Sequence, residues 1–308
     1  MKWIAWVLVV QLFLANLSAA IYAYRFTHFY ESPAPKTTSD NFFSRTWKLF
    51  TGPKFYRNDI EPTPSFPFNR IVLGTSGDSL EAWYSTITGA RTCIILLHGY
   101  TTNKSFMEEE AAQFRSWGYN VLLADFRGHG KSGGSKTSLG VKETEDLQKA
   151  FEFAKGQGNH RIIVYGISLG AVVAIKAAAE RKIDPYAIIA DMPFDNLHNH
   201  FKSRAKDVGF PPEPFAFLVT MWIGIENGFN GFGHRVTSYA GKISCPVLLQ
   251  WGEKDRFVDR RAIKAVFEKL GSPVKKLVTY PGGDHESLIR VDHNLWTTEL
   301  STFLKNLP

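Results

Sequence analysis

The segment that most constrains the fold runs from residue 161 to residue 176 and contains Gly166-Ile-Ser-Leu-Gly170. The β-branched and aromatic residues at 162–165 predict a buried strand, and the alanine-rich sequence after Gly170 predicts a helix. A strand that enters a helix through Gly-x-Ser-x-Gly is typical of a sharp turn, for which the two glycines leave room. Ser168 would then stand clear at the strand end, beside free N–H groups and the positive end of the helix dipole.

Strands and helices alternate along the chain from residue 70 onward. Two short apolar runs, 71–75 and 80–85, are joined by Ser76-Gly77-Asp78-Ser79 and predict a hairpin. Further strands are predicted at 92–97, 120–125, 161–165, 186–191, 246–251 and 275–280. Helices are predicted at 105–117, 141–155, 169–181, 260–270 and 294–307. Continuous apolar strands with intervening helices indicate an α/β fold, a mostly parallel eight-stranded sheet with helices on both faces.

The alternation lapses between Asp191 and Pro246, which predicts a short helical cap at about 195–243. Helices are predicted at 196–206 and 215–225, and the second is apolar on nearly every side. Such an insertion is either a lid whose apolar lining suits an acyl or aromatic substrate, or a helix that packs on the core. The sequence leaves both open.

Active sites of parallel α/β sheets lie at the carboxyl ends of the strands, so the residues after each strand are the candidates. Ser168 is the candidate nucleophile, and a serine hydroxyl needs a base within hydrogen-bond reach. His285 follows the strand 275–280 and can take the serine proton near neutral pH. Asp255 follows the strand 246–251 and is the preferred carboxylate for orienting His285, with Asp191 as the alternative. Asp284 adjoins His285 but is expected to point away from it.

Two other strand ends carry polar residues. At His98-Gly99-Tyr100, His98 is predicted to be a packing residue, while the N–H of Tyr100 is placed to face a developing oxyanion. The glycine-rich loop after residue 125 lacks the spacing of a phosphate-binding loop, so it predicts a structural turn. Asp125 and Arg127 are expected there to pair with each other or with neighbouring backbone.

The remaining histidines and the cysteines indicate no metal or cofactor. Cys93 and Cys245 are predicted to be free core thiols, and the chain has no Cys-x-x-Cys motif or Cys/His cluster. Six histidines in loops or the cap are expected at the surface: His28, His129, His160, His198, His200 and His234.

The N-terminal residues 1–24 predict a transmembrane anchor. The 22 residues 3–24 carry no charge and would span about 33 Å as a helix, with aromatic residues near both ends. A cleaved signal peptide is the alternative, which would leave a secreted or periplasmic protein. The short N-terminal flank favours a single-pass protein with its main domain outside the cytoplasm.

Residues 25–69 are rich in proline and aromatic residues, lack a sustained period, and predict a juxtamembrane spacer before the domain 70–308. The segment either wraps on the domain surface or holds the domain against lipid headgroups. The net charge of +7 comes without a Lys/Arg-rich block, which argues against a nucleic-acid partner. The sequence does not indicate an oligomeric state.

Several motifs together resemble the α/β-hydrolase superfamily over residues 70–305. Besides the hairpin they are His98-Gly-Tyr100, Asp125-x-Arg-Gly-His-Gly-x-Ser132, Gly166-x-Ser-x-Gly170, Gly252-x-x-Asp255-x-x-Val258 and Gly282-x-x-His285. Within that superfamily the chain is similar to membrane-anchored BEM46-like hydrolases and to the serine aminopeptidase-like group. The resemblance implies an oxyanion hole made by the backbone N–H groups of Tyr100 and Leu169. In some members the acid follows the strand after the elbow, where Asp191 stands.

The expected activity is therefore that of a serine hydrolase that cleaves carboxylic esters of small acyl or lipid-like substrates through an acyl-enzyme, without a cofactor. A peptidase or thioesterase would use the same residues, and a peptidase would need an acidic pocket, for which Glu213 or Glu226 in the cap are candidates. A non-catalytic binding or scaffold protein is the alternative from another class.

Overall fold

The computed structural model of the protein describes residues 2–31, 41–75, 77 and 79–308. The chain begins with a 26-residue helix, α1 (Lys2–Thr27), which is about 39 Å long. Three short elements follow: β1 (Phe29–Tyr30), α2 (Phe42–Thr51) and β2 (Phe55–Tyr56). Strands β1 and β2 pair in parallel, which ties the segment after α1 back onto itself.

The eight strands of the large sheet, counted over the described residues, are β3 (Asn69–Leu73), β4 (Leu80–Ser85), β5 (Thr92–Leu97), β6 (Asn120–Ala124), β7 (Arg161–Ile167), β8 (Ala187–Asp191), β9 (Val247–Gly252) and β10 (Lys275–Tyr280). Their order across the sheet is β10-β9-β8-β7-β5-β6-β4-β3. The pairs β3–β4 and β4–β6 are antiparallel and the other neighbours are parallel. The predicted mostly parallel sheet and its N-terminal hairpin are confirmed, although residues 76 and 78 of the hairpin turn lie outside the described residues.

The remaining helices flank the sheet or form the cap. They are α3 (Glu108–Ser116), α4 (Glu143–Gly156), α5 (Leu169–Ala179), α6 (Leu197–Asp207), α7 (Phe215–Asn227), α8 (Val236–Ala240), α9 (Arg260–Lys269), α10 (Leu288–Val291) and α11 (His293–Lys305). The central strands β5 to β9 are buried almost throughout, because helices cover both faces and water reaches neither. Helix α5, directly after β7, packs on β5, β7 and β8.

The strand register determines what lies at the carboxyl edge of the sheet. Leu97 of β5 pairs with Gly166 of β7, and Ile167 of β7 pairs with Asp191 of β8. At the other end of this row Gly252 of β9 pairs with Tyr280 of β10. The strands therefore end nearly level, and the loops that follow them meet above one edge of the sheet.

The N-terminal helix has two parts with different surroundings. The side chains of residues 2–15 are exposed, whereas the later turns pack on α7 of the cap, with Ala19 and Ala23 fully buried. Trp222 of α7 donates a hydrogen bond from Nε1 to Asn16 Oδ1 at 2.6 Å. Helix α1 is long and apolar enough to cross a membrane, and a signal sequence would meet the same criteria. The predicted boundary at residue 24 falls inside this helix.

The segment predicted to be an aperiodic spacer contains helix α2. Asn41 caps it, since its side-chain oxygen accepts a hydrogen bond from the N–H of Ser44 at 2.8 Å. Arg25 of α1 donates hydrogen bonds to Thr51 Oγ1 and to the carbonyl oxygen of Gly52, which fixes the end of α2 against α1. The part of the spacer at 32–40 lies outside the described residues.

Candidate active site

Ser168 lies at the turn between β7 and α5 in a strained backbone conformation. Its φ is 54° and its ψ is −107°, a region that L-residues rarely occupy, and the surrounding structure holds it there. The two glycines of the turn, Gly166 and Gly170, are required because neighbouring backbone leaves no room for a Cβ, and neither has a positive φ. A Cβ at Gly166 would lie 2.3 Å from the carbonyl carbon of Gly170, and one at Gly170 would lie 2.3 Å from the oxygen of Leu97.

The three candidate catalytic side chains form a continuous hydrogen-bonded chain. His285 Nδ1 lies 2.7 Å from Asp255 Oδ2, and His285 Nε2 lies 2.8 Å from Ser168 Oγ. Because a carboxylate only accepts hydrogen bonds, Nδ1 carries the imidazole proton and Nε2 accepts from the serine hydroxyl. The other oxygen of Asp255 accepts from the N–H groups of Phe257 and Val258, at 2.8 and 2.9 Å. Asp255 is thereby held in one orientation toward the imidazole.

Two backbone N–H groups in the segments that flank Ser168 have no acceptor among the residues that the structure describes. The N–H of Leu169 opens helix α5, and that of Tyr100 lies in the loop after β5; neither donates to another described residue. This loop packs on the elbow, since a Cβ added at Gly99 would lie 3.8 Å from Ser168 Cβ. The two segments that flank Ser168 therefore each leave a backbone N–H without an acceptor, as an oxyanion hole would require.

Asp191 lies in the same row of strand ends but has different partners. Its Oδ2 accepts from the hydroxyl of Tyr165 at 2.6 Å, and its Oδ1 accepts from Gln250 Nε2 at 2.7 Å. Among the described residues no hydrogen bond joins Asp191 to His285. Complete burial raises the pKa of Asp191 to about 7.

The loop after β6 is structural, as predicted, but its pairing differs from the expectation. Asp125 accepts hydrogen bonds from the backbone N–H and the Nζ of Lys104, both at 2.7 Å, and Arg127 pairs with Asp146 at 2.7 Å. The expected pairing of Asp125 with Arg127 is therefore wrong, and the expected backbone contacts of Asp125 are present. The buried Lys104 requires carboxylate partners, and its Nζ contacts Glu61, Glu81 and Asp125.

His98 is a packing residue, as predicted. It is fully buried, its Nδ1 donates to the oxygen of Gly99, and its Nε2 accepts from the N–H of Phe126. Burial lowers the pKa of His98 to about 4, so the ring is neutral. The surface prediction is wrong for His129, His200 and His234, which are buried. These loop and cap residues fold over the strand ends, which the local sequence does not reveal.

The wall of the site includes three residues that the sequence analysis missed. Phe26, on the last turn of α1, stacks on the ring of Tyr100 with centres 4.6 Å apart, and the Tyr100 hydroxyl donates to the oxygen of Phe26 at 2.7 Å. Phe257 lies edge-on to His285, with ring centres 5.2 Å apart. Arg204 of α6 lies over both Phe26 and Phe257. No local pattern marks these residues, because they meet only through the tertiary fold.

The two cap glutamates proposed for an acidic pocket do not form one. Glu213 is on the surface, where it pairs with Lys202 at 3.0 Å and lies 2.9 Å from His198 Nε2. Glu226 is partly buried, which raises its pKa to about 7, and Lys136 is the charged group that acts on it. The cation Arg204, on the cap helix α6, instead lies against Phe257, whose ring contacts His285.

Comparison with known proteins gives matches over most of the chain. The family described as "Serine aminopeptidase, S33" matches residues 88–223 and 219–291. Bacillus subtilis YqkD is 29% identical over 241 residues, covering 77% of this chain and 79% of YqkD. Lysophosphatidylserine lipase ABHD12 of Mus musculus is 29% identical over 191 residues, covering 58% of this chain and 45% of the mouse protein.

Among solved structures, the Pyrococcus furiosus esterase Pf2001 superposes with a TM-score of 0.68 at 29% identity. The match covers 82% of this chain and 96% of the esterase chain. The family match includes the elbow, the cap and the loop that carries His285, and the fold agrees with that of the esterase. The chain therefore belongs to the serine aminopeptidase S33 family of α/β hydrolases.

Proposed function

We propose that the protein is a serine hydrolase that cleaves a carboxylic ester through an acyl-enzyme, with Ser168 as nucleophile, His285 as base and Asp255 as orienting carboxylate. The observation that carries the proposal is the hydrogen-bonded chain from Asp255 through His285 to Ser168 at the strained turn. A serine without a base is a poor nucleophile, and here its proton has an acceptor at 2.8 Å.

The reaction follows from these contacts. Ser168 Oγ attacks the ester carbonyl carbon as its proton passes to His285 Nε2, and the N–H groups of Tyr100 and Leu169 hold the oxyanion. The carbon–oxygen bond to the alcohol breaks, and the alcohol leaves with the proton from Nε2. Water then attacks the acyl carbon while giving a proton to Nε2. The acid is released and the proton returns to Ser168 Oγ. No step needs a metal or an organic cofactor.

The kind of substrate is supported by the wall of the site and by the named relatives. Phe257 packs edge-on against His285, and Phe26 and Tyr100 contact the same Arg204 as Phe257, so apolar surface lies beside the imidazole and suits an acyl or lipid-like molecule. The relatives include a lysophosphatidylserine lipase and an esterase. Neither an amide nor a thioester is favoured by a specific contact, and the cationic Arg204 does not suit the amine of a peptidase substrate.

The test of the nucleophile is labelling with a fluorophosphonate, together with hydrolysis of p-nitrophenyl esters. We expect the wild-type protein to be labelled and active, and Ser168→Ala to lose both. Ser203→Ala is a matched control, because Ser203 is also a serine but lies on helix α6. Labelling that persists in Ser168→Ala would remove Ser168 from the mechanism, and a wild-type protein with neither property would favour the scaffold alternative.

We also propose that α1 anchors the protein in a membrane, with the hydrolase domain on the extracytoplasmic side. The exposed part, residues 2–15, is about 21 Å long, shorter than the hydrocarbon core of a bilayer. The next turns, which pack on α7, would therefore lie at the membrane surface, and Phe26 would be about 17 Å beyond residue 15. The active site would then open close to the lipid.

The anchoring is tested by alkaline carbonate extraction of membranes. We expect the full chain to stay in the membrane fraction with an N-terminal tag still attached. Leu8→Arg with Leu12→Arg should release it, because two charges in the exposed part make insertion unfavourable. Recovery of a shortened soluble protein that has lost its tag would support the signal-peptide alternative instead.

A further inference from the structure

Arg204 lies next to the proposed active site on the cap helix α6. Its guanidinium carbon is 4.9 Å from the ring centre of Phe26, 5.7 Å from that of Tyr100 and 4.6 Å from that of Phe257. The ring of Phe257 in turn packs edge-on against His285, 5.2 Å away. One aromatic ring therefore separates the guanidinium from the imidazole.

The guanidinium of Arg204 lacks a carboxylate partner. Arg127 pairs with Asp146 and Arg256 pairs with Asp284, but Arg204 forms no ion pair with any residue in the described ranges. The carboxylate that acts on it electrostatically is Asp207, which lies 3.5 Å from Arg256. Within the described chain, the hydrogen bond of Arg204 runs from Nε to His200 Nε2 at 2.9 Å, and the N–H groups of Nη1 and Nη2 have no acceptor.

A second donor beside Arg204 also lacks an acceptor. Because His200 Nε2 accepts from Arg204, the ring is neutral and its proton is on Nδ1. This Nδ1 is buried and has no hydrogen-bond partner among the described residues. Burial and the neighbouring charge of Arg204 hold the pKa of His200 well below its usual range, which agrees with a neutral ring.

The side chain of Arg204 is largely but not fully buried, and the desolvation of its charge lowers its pKa. The faces of three aromatic rings recover part of this cost, but they leave the planar edge of the guanidinium without acceptors. Neither Nη1 nor Nη2 is among the fully buried unpartnered atoms of the described residues, so this edge faces space that water or a ligand can enter. The free edge is what a site for an anion requires, since a guanidinium binds phosphate and carboxylate through two parallel hydrogen bonds.

We propose that Arg204 is a specificity residue that binds an anionic group, a phosphate or a carboxylate, carried by the ester substrate. The proposal rests on the proposed function and names the class of ester that Ser168 cleaves. Because the ring of Phe257 contacts both the guanidinium and His285, the anion and the scissile ester belong to one molecule, joined by a short linker. The neutral part of the substrate lies against Tyr100 and Phe257, the two rings that are not fully buried.

The test compares three esters that share a dodecanoyl chain: of glycerol, of glycerol phosphate and of glyceric acid. The full chain is assayed in detergent. We expect the wild-type protein to prefer an anionic ester, and Arg204→Gln to lower its kcat/KM for that ester roughly 10- to 100-fold. The loss of kcat/KM in Arg204→Gln should be at least about 10-fold larger for the anionic ester than for the neutral ester. The phosphate and glycerate arms distinguish the two anions.

Lys202→Gln is the matched control, because Lys202 carries the same charge on the same helix but pairs with Glu213 at the surface. Lys202→Gln should leave the preference for the anionic ester unchanged, and Arg204→Lys should keep part of that preference. A second measurement needs only the wild-type protein: hydrolysis of the neutral ester is inhibited by dodecyl phosphate and, separately, by dodecanol. Dodecyl phosphate should be the stronger inhibitor. This result does not depend on how any variant folds.

Two outcomes would overturn the proposal. One is a wild-type protein that prefers the neutral ester and is inhibited equally by dodecyl phosphate and dodecanol. The other is an Arg204→Gln variant whose kcat/KM falls by the same factor for all three esters, which would make Arg204 a packing residue. In both cases Ser168-dependent hydrolysis of the neutral ester would remain. Hydrolysis that persists in Ser168→Ala would instead refute the proposed function.

Discussion

Asp255 and Asp191 occupy comparable positions, each at or just beyond the end of a buried strand and within reach of the same edge of the sheet. Asp191 is the last residue of β8, while Asp255 follows β9 by three residues. Both carboxyl groups are buried. By the rule that active sites lie at the carboxyl ends of parallel strands, either one is eligible to orient the histidine.

Their hydrogen-bond partners separate them. Asp255 receives two backbone N–H groups on one oxygen and leaves the other to His285. Asp191 receives the hydroxyl of Tyr165 and the amide of Gln250, and Gln250 in turn accepts from the hydroxyl of Tyr280. The carboxylate of Asp255 is oriented toward His285 by the backbone turn that follows Asp255. The carboxylate of Asp191 is enclosed by side chains of neighbouring strands.

The difference extends to charge. Burial raises the pKa of Asp191 to about 7, so at neutral pH a large fraction of it carries a proton. A neutral carboxyl stabilises an imidazolium poorly, because the stabilisation comes from the negative charge beside the ring. A strand-end position thus makes a residue a candidate, and the partners beyond the strand decide whether it can act.

The largest expected effect in this comparison is on catalysis. Asp255→Asn should lower kcat for ester hydrolysis by about 10⁴-fold, because the amide favours the wrong tautomer of His285. Asp191→Asn should lower kcat by less than about 10-fold, since it alters no group that contacts His285. The measurement is kcat of both variants on one p-nitrophenyl ester, with thermal melting to establish that each is folded.

The reverse ranking would assign the acid to Asp191 and overturn the proposed role of Asp255.

The double variant Ser168→Ala with Asp255→Ala should have a kcat little lower than that of Ser168→Ala alone, because groups that act as a unit have non-additive effects. Additive losses in the double variant would mean that Asp255 acts independently of the nucleophile.

Most of the sheet could be predicted from the sequence, because its strands are continuous apolar runs. Strands β4, β5 and β10 have the predicted bounds, and most of the other ends differ by one or two residues, where helices fray and strands lose partners. Helix α2 was missed: its ten residues lie between proline-rich segments, and its exposed aromatic residues do not mark a buried face.

The candidate site was predictable only as far as chain order and strand ends determine it. Ser168, Asp255 and His285 follow from motifs that keep their local context. Arg204 and Phe26 do not, because residues 26, 100 and 204 are far apart in sequence and meet through the packing of α1 and α6 over the strand ends. The expected partner of Asp125 was wrong for the same reason, as Lys104 reaches it from another loop.

The smaller effect concerns stability, and it tests the charge difference between the two aspartates. Since the pKa of Asp191 is raised to about 7 in the folded state, the folded protein binds more protons there than the unfolded chain between about pH 4 and pH 7. The free energy of unfolding therefore falls as pH rises through this window, and it levels off above it. The full difference is on the order of 4 kcal/mol.

Asp191→Asn removes this titration. The melting temperature of the variant should therefore rise relative to that of the wild type as pH increases from 4 to 8. Glu110 also has a pKa raised to about 7 by burial, but it is present in both proteins and its contribution largely cancels in the difference. The measurement is the melting temperature of both proteins at one-unit pH steps. Asp284→Asn is the control, because Asp284 is partly exposed and its pKa is lowered by hydrogen bonds from the N–H of His285 and from Arg256. If the gap between Asp191→Asn and wild type stays constant with pH, then Asp191 is ionised throughout. Tyr165 and Gln250 would then stabilise its charge as effectively as the backbone turn stabilises Asp255, and the two aspartates would differ in direction alone.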